Sequence, residues 1–162
     1  MTLTDPQKAT LKAHILANTA QQVVDGLTNG DNGAIADWYN QQESPDFFVF
    51  INSVSADDVG RAIELDDIAN MTTGDVAKLE AFFRLRSGGF SGESATDRAG
   101  FDDVLSAAAA DDSQQAVAAL WQRLANRIEK LFSIGTGSLI DPASAPYTGA
   151  ITFQDVGAAL NS

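Results

Sequence analysis

The run from Asp112 to Phe132 constrains the fold of this chain more than any other stretch. Val117, Leu120, Trp121, Leu124, Ile128, Leu131 and Phe132 recur three and four residues apart. That spacing gathers apolar side chains on one face of a helix. Acids at the start of the run and bases near its end complement the helix dipole. The pattern predicts one long amphipathic helix, which stops at Gly135-Thr136-Gly137 because glycine ends a helix readily. A stripe of this kind must be buried against other elements. The expected fold is therefore mainly α, a single helical-bundle-like domain.

The rest of the chain supplies packing partners. Thr4, with Gln7 three residues on and Pro6 in the first turn, opens a helix whose stripe contains Leu11 and Ile15. Short helices are predicted over 20–27 and 34–40, separated by the turn residues 28–33. Phe47 to Ile51 is rich in β-formers and reads as a short buried strand or extended segment. Ser55 caps a helix to about Leu65, and a helical turn follows over 66–71. Thr72 opens a stronger helix that Gly88-Gly89 ends, and Thr96-Asp97 starts another through Phe101, Val104, Leu105 and Ala108. Beyond position 134 the character changes to Pro, Ser, Thr and Gly, and residues 131–162 contain no Lys or Arg. The expected organisation is a helical body over 1–134 and an extended C-terminal arm over 135–162. The arm either belongs to the same domain or docks on a partner. Within it, Tyr147 to Phe153 alternates partially, as a strand would, and Asp155 to Leu160 can close a last helical turn.

Composition narrows the function classes. With 162 residues the chain has room for one domain with a real core. No apolar run approaches the roughly 18 residues of a membrane span, and no targeting segment is visible at the N-terminus. The absence of cysteine excludes disulfides, thiolate metal sites and cysteine nucleophiles. A formal charge of −12 opposes sequence-independent binding to nucleic acid. Six of the ten basic residues, Arg84, Arg86, Arg98, Arg123, Arg127 and Lys130, lie between positions 84 and 130. They either balance nearby acids and helix ends or form a basic face for an acidic partner.

No catalytic constellation stands out. His14 is the single histidine, no nucleophile-elbow pattern accompanies it, and a partly exposed surface position suits it. The doublets Asp57-Asp58, Asp66-Asp67, Asp102-Asp103 and Asp111-Asp112 have the chemistry to hold a divalent cation. Three of them fall where helices start, which helix-dipole stabilisation explains without a ligand. The glycines at 135–137 and 88–89 lack the Lys-Ser/Thr of a phosphate loop. No catalytic residue, metal ligand or cofactor is expected.

Several short motifs follow one another in a familiar order. Asp97-Arg-Ala-Gly-Phe101 opens a helix, and Arg123-Leu-Ala-Asn-Arg-Ile-Glu-Lys-Leu-Phe132 runs into Gly135-Thr-Gly-Ser138. Thr148-Gly-Ala-Ile151 and Gln154-Asp-Val156 close the chain; Leu3-Thr4, Gln7, Ile35, Tyr39-Asn40 and Phe47 to Val54 fit the same layout. In this order they resemble a family of small structural proteins of tailed bacteriophages. The chain departs from that pattern at Phe48 and Phe50, where tryptophan is expected, and over 55–70.

The resemblance implies a virion protein, assembled in the host cytoplasm, at the head-to-tail connection. There it would act as an adaptor subunit of a homo-oligomeric ring, with the portal and tail or neck proteins as partners. It carries no active site, so a non-enzymatic role is expected. Arg98, Gly100, Arg123, Arg127, Glu129, Phe132, Gly135 and Gly137 become candidates for packing or interface roles. Arg84, Arg86, Arg98, Arg123, Arg127, Tyr147 and Phe153 are the interface candidates, with Arg84, Arg86, Arg123 and Arg127 facing acids of the next subunit. An acidic lumen would let DNA pass without sticking, and no sequence-specific nucleic acid or membrane partner is expected. Rival expectations are a capsid-decorating or minor head protein, a small carboxylate–metal hydrolase using the Asp doublets, and an acidic DNA mimic.

Overall fold

A computed structural model describes residues 2–86, 88–107 and 110–162. The protein is mainly α, with ten helices and two short paired strands among the described residues. It forms two compact units. The first comprises the chain up to Phe48 together with Leu124–Ser162, and the second is Val49–Arg123. The chain passes from one to the other within β1 (Phe48–Phe50) and returns within β2 (Gln122–Leu124). The strand expected over 47–51 is β1. In place of one body over 1–134 with an appended arm, each unit has its own core.

The first unit is built on α1 (Asp5–Ala17), α2 (Gln21–Asn29), α3 (Asn32–Asn40), α9 (Arg127–Phe132) and α10 (Phe153–Leu160). Gln7 Oε1 accepts from the Thr4 N–H at 2.9 Å and from its hydroxyl at 3.0 Å, as the Thr4/Gln7 spacing predicts. Leu11 and Ile15 are buried with Val23, Ile35, Tyr39 and Ile128, while Leu16 beside them is exposed. α10 packs against both α1 and α3. Thr152 and Asp155 cap it reciprocally. Tyr147, Ile151, Val156 and Ala159 join the same core, so residues of the 135–162 segment complete this unit. Tyr147 to Phe153 is not a strand: Ile151 N–H donates to Asn40 Oδ1 at 2.9 Å, and Asn40 Nδ2 donates to the Ile151 carbonyl at 2.8 Å. One side-chain amide replaces the neighbouring strand.

The second unit holds α4 (Ala56–Ala62), α5 (Leu65–Asn70), α6 (Thr73–Leu85), α7 (Ala95–Ala107) and α8 (Asp111–Leu120). Ser55 and Thr72 cap α4 and α6 as expected, each accepting from an N–H three residues on. α7 packs against α6 and α8, and α4 packs against α8. The aromatic centre is Phe101, with Phe82 and Phe90 centroids both 5.0 Å away and Trp121 at 5.7 Å. Gly100 makes room for it, since a Cβ there would come within 2.6 Å of Phe82 Cζ. Ala108, expected at the end of α7, lies outside the described residues.

The long helix over Asp112–Phe132 is corrected to three elements: α8, β2 and α9. The break has a local cause. The Trp121 carbonyl accepts from the Ile51 N–H at 2.8 Å instead of continuing the helical ladder. Ala125 N–H then donates to the Phe47 carbonyl at 2.8 Å, and its own carbonyl accepts from Glu43 N–H at 3.0 Å. Asn126 restarts the helix through a capping box, accepting from Glu129 N–H at 2.9 Å while Glu129 Oε2 accepts from Asn126 N–H at 3.1 Å. The apolar periodicity survives across the break because Trp121 and Ile128 are both buried, each in the core of its own unit.

Candidate functional site

Two features of the first unit combine unusual chemistry with accessible surface. One is the loop after α9. Its ends are tied by reciprocal backbone bonds between Ile134 and Ser144, at 2.8 and 2.9 Å. Ser138 and Asp141 exchange another pair at 3.1 and 3.2 Å, and the Thr136 hydroxyl lies 2.8 Å from Asp141 Oδ2. Gly135 and Gly137 take φ of 128° and 66°, values that disfavour any side chain. Gly137 also lies directly under the Phe47 ring. The glycines expected to stop a helix instead shape this loop, since α9 has already ended at Phe132 with Ser133 as its cap. At the tip Leu139 is 59% and Ile140 94% exposed, and Ile134 is exposed nearby.

The other feature is a cleft of about 550 Å³ bordered by α1, α3 and α9. His14, Asn18, Trp38, Glu43, Arg127 and Lys130 line it. The Arg127 guanidinium lies over the Trp38 ring, 4.2 Å from its centroid. Its Nη1 donates to the Trp38 carbonyl at 3.0 Å and to Gln41 Oε1 at 2.8 Å. Lys130 Nζ pairs with Glu43 Oε1 at 2.8 Å. Behind them the Tyr39 hydroxyl lies 2.7 Å from His14 Nδ1.

Burial pushes the Tyr39 hydroxyl up to about 12, against a smaller opposing effect of the Asn18 hydrogen bond. Tyr147 is also raised, by burial first and by the carboxylates of Asp155 and Glu129 next. These are the two tyrosines of the chain. An unfolded tyrosine ionises near pH 10. Raised folded values therefore mean stability that is intact below about pH 10 and lost as pH climbs towards 12. A titration of phenolate absorbance should lag behind free tyrosine and then rise together with loss of helical circular dichroism. Ionisation of both rings near pH 10 with the helices intact would contradict this.

The expected interface residues divide between the two units, four in the second and three in the first. Arg86 Nε pairs with the buried Asp97 at 2.9 Å. Arg98 lies over the Phe50 ring at 4.3 Å and donates to the Gly92 carbonyl. Both brace the second unit. Arg84 is exposed on the last turn of α6, and Arg123 is half-buried in β2. Arg127 belongs to the cleft. Tyr147 is core, 2% exposed, with its hydroxyl donating to the Ala150 carbonyl at 2.9 Å. Phe153 begins α10 and is 60% exposed.

Of the acidic doublets, Asp57-Asp58, Asp66-Asp67 and Asp111-Asp112 lie in first turns of helices, as helix-dipole stabilisation predicts. Asp67 does more: its Oδ2 accepts from the N–H of buried Ser113 at 3.2 Å and from its hydroxyl at 2.5 Å, tying α5 to the start of α8. Among the described residues no three His, Asp or Glu side chains are grouped to hold a metal ion. No described helix is long and apolar enough to cross a membrane.

The loop tip and the cleft were not singled out by sequence patterns. Leu139-Ile140 is an apolar pair inside a segment of turn formers, a signal that only the stapled geometry makes interpretable. Comparison with protein-family models, curated proteins and solved structures returned no match.

Proposed function

We propose that this chain is a non-enzymatic structural subunit of a tailed-phage virion, an adaptor at the head-to-tail connection that assembles as a ring against the portal. The observation that carries the reading is the loop from Ile134 to Ser144, which holds Leu139 and Ile140 in solvent on a hydrogen-bonded frame. Single exposed aliphatic residues are ordinary. Two at the tip of a loop whose conformation is already set are a different matter. Much of the ordering entropy that a partner contact would otherwise cost has been met in folding, so their burial counts almost wholly towards affinity.

The sequence motifs that resemble phage structural proteins run into this loop at Gly135-Thr-Gly-Ser138. The absence of Lys and Arg from 131–162 suits contact with the apolar surface of a protein partner better than with nucleic acid. The net charge of −12 suits a subunit that lets DNA pass without adhesion. Measuring the mass of the protein in solution, alone and mixed with the portal, tests the proposal. The expected result is a multi-copy complex with the portal. A persistently monomeric protein in both samples would overturn it.

A further inference from the structure

We propose that the cleft between α1, α3 and α9 is a carboxylate-binding site, in which Arg127 supplies a two-pronged donor and Lys130 a second positive charge. The inference rests first on how Arg127 is held. Stacking on Trp38 and two bonds from Nη1 fix the guanidinium plane. Its Nη2 and Nε hydrogens have no protein partner among the described residues and remain available to the cleft that Arg127 lines. A guanidinium edge fixed in this way matches the two oxygens of a planar carboxylate.

The placement of charge supports the same ligand. The first unit carries four basic and nine acidic residues. Of the four bases, Lys8 is paired with Asp5 on the same helix, and Lys12 donates to the Ser162 carbonyl at 2.5 Å. The other two, Arg127 and Lys130, line one cleft together with the chain's single histidine. Glu43 offsets one of those two charges, so Arg127, Lys130 and Glu43 together leave one positive charge at the cleft. A singly charged carboxylate balances that. A doubly charged phosphate would face the Glu43 carboxylate with charge in excess. The indole of Trp38 offers an apolar flank for the carbon atoms attached to the carboxylate.

This deepens the adaptor reading, because acids on a neighbouring subunit would be one source of the carboxylate, yet it can be tested on the isolated chain. Amide, indole and arginine side-chain NMR signals of the full chain would be followed at constant ionic strength. The additions would be propionate, a capped Ala-Asp-Ala peptide and inorganic phosphate, each in a separate titration. Saturable shifts of the Trp38 indole and Arg127 signals with either carboxylate are expected, at least tenfold weaker in Arg127→Lys and in Lys130→Gln. Tighter binding of the peptide assigns the site to an acidic protein segment, and tighter binding of propionate to a free small acid. Unsaturable shifts, preferential binding of phosphate, or shifts unchanged in both variants would overturn the proposal. Lys130→Gln removes an exposed charge and keeps the test valid should Arg127→Lys disturb the stack on Trp38. A functional cleft in a protein that never joins the portal would separate failure of the adaptor reading from failure of this one.

Discussion

Replacing Glu129 with alanine is expected to lower stability by about 3 kcal/mol. Glu129 is 2% exposed, and its two oxygens serve different parts of the chain. Oε2 accepts from Asn126 N–H at the start of α9, and Oε1 accepts from Gly149 N–H at 2.9 Å, twenty residues on. The Asn126 side chain closes the link by donating to the Gly149 carbonyl at 3.0 Å. Truncation leaves two amide hydrogens without their acceptor, each at a cost of roughly 1–3 kcal/mol. It also removes half of a capping box. For a chain of this length the midpoint of thermal unfolding should fall by roughly 6–12 °C. Glu129→Gln keeps one acceptor oxygen and should lose about half as much. Calorimetry of the two variants measures this, and an alanine variant that melts with the wild type would refute the tethering role.

The double substitution Leu139→Asp with Ile140→Asp should have the opposite profile, with little effect on folding and a large effect on assembly. Both side chains already face solvent, so charge there costs the folded state almost nothing. Burying two aliphatic side chains against a partner is worth about 3–6 kcal/mol. Their loss should therefore weaken binding to the portal by at least roughly 100-fold. Thermal melting of the variant, read beside its affinity for the portal, separates the two effects. Retained affinity would show that the loop tip is not the contact.

The local chemistry of helix starts was legible in the residues. Thr4, Ser55, Thr72 and three of the four acidic doublets mark caps and first turns that the structure contains. A hydrogen bond from a side chain to an amide three residues away depends only on local sequence. The stripe from Val117 to Phe132 misled for the converse reason. Periodicity reports which positions are buried, and it does not report that Trp121 and Ile128 are buried in different cores. The competing signal was present in Asn126-Arg-Ile-Glu129, a capping box that makes sense only at a helix start.

The cleft was beyond reach for a different reason. His14, Trp38 and Arg127 come from three helices far apart in the chain, and only tertiary packing brings them together. Leu139 and Ile140 looked like ordinary apolar residues in a loop. Their exposure depends on hydrogen bonds between Ser138 and Asp141 and between Ile134 and Ser144 that no periodicity announces.

The proposed role as a structural part of a virion at the head-to-tail connection calls for quantitative mass spectrometry of tailed particles purified from a host strain that carries this gene. Particles stripped to their neck should be measured beside intact ones. Several copies per particle are expected, retained with the portal when the neck is isolated. Absence of the protein from purified particles would contradict it.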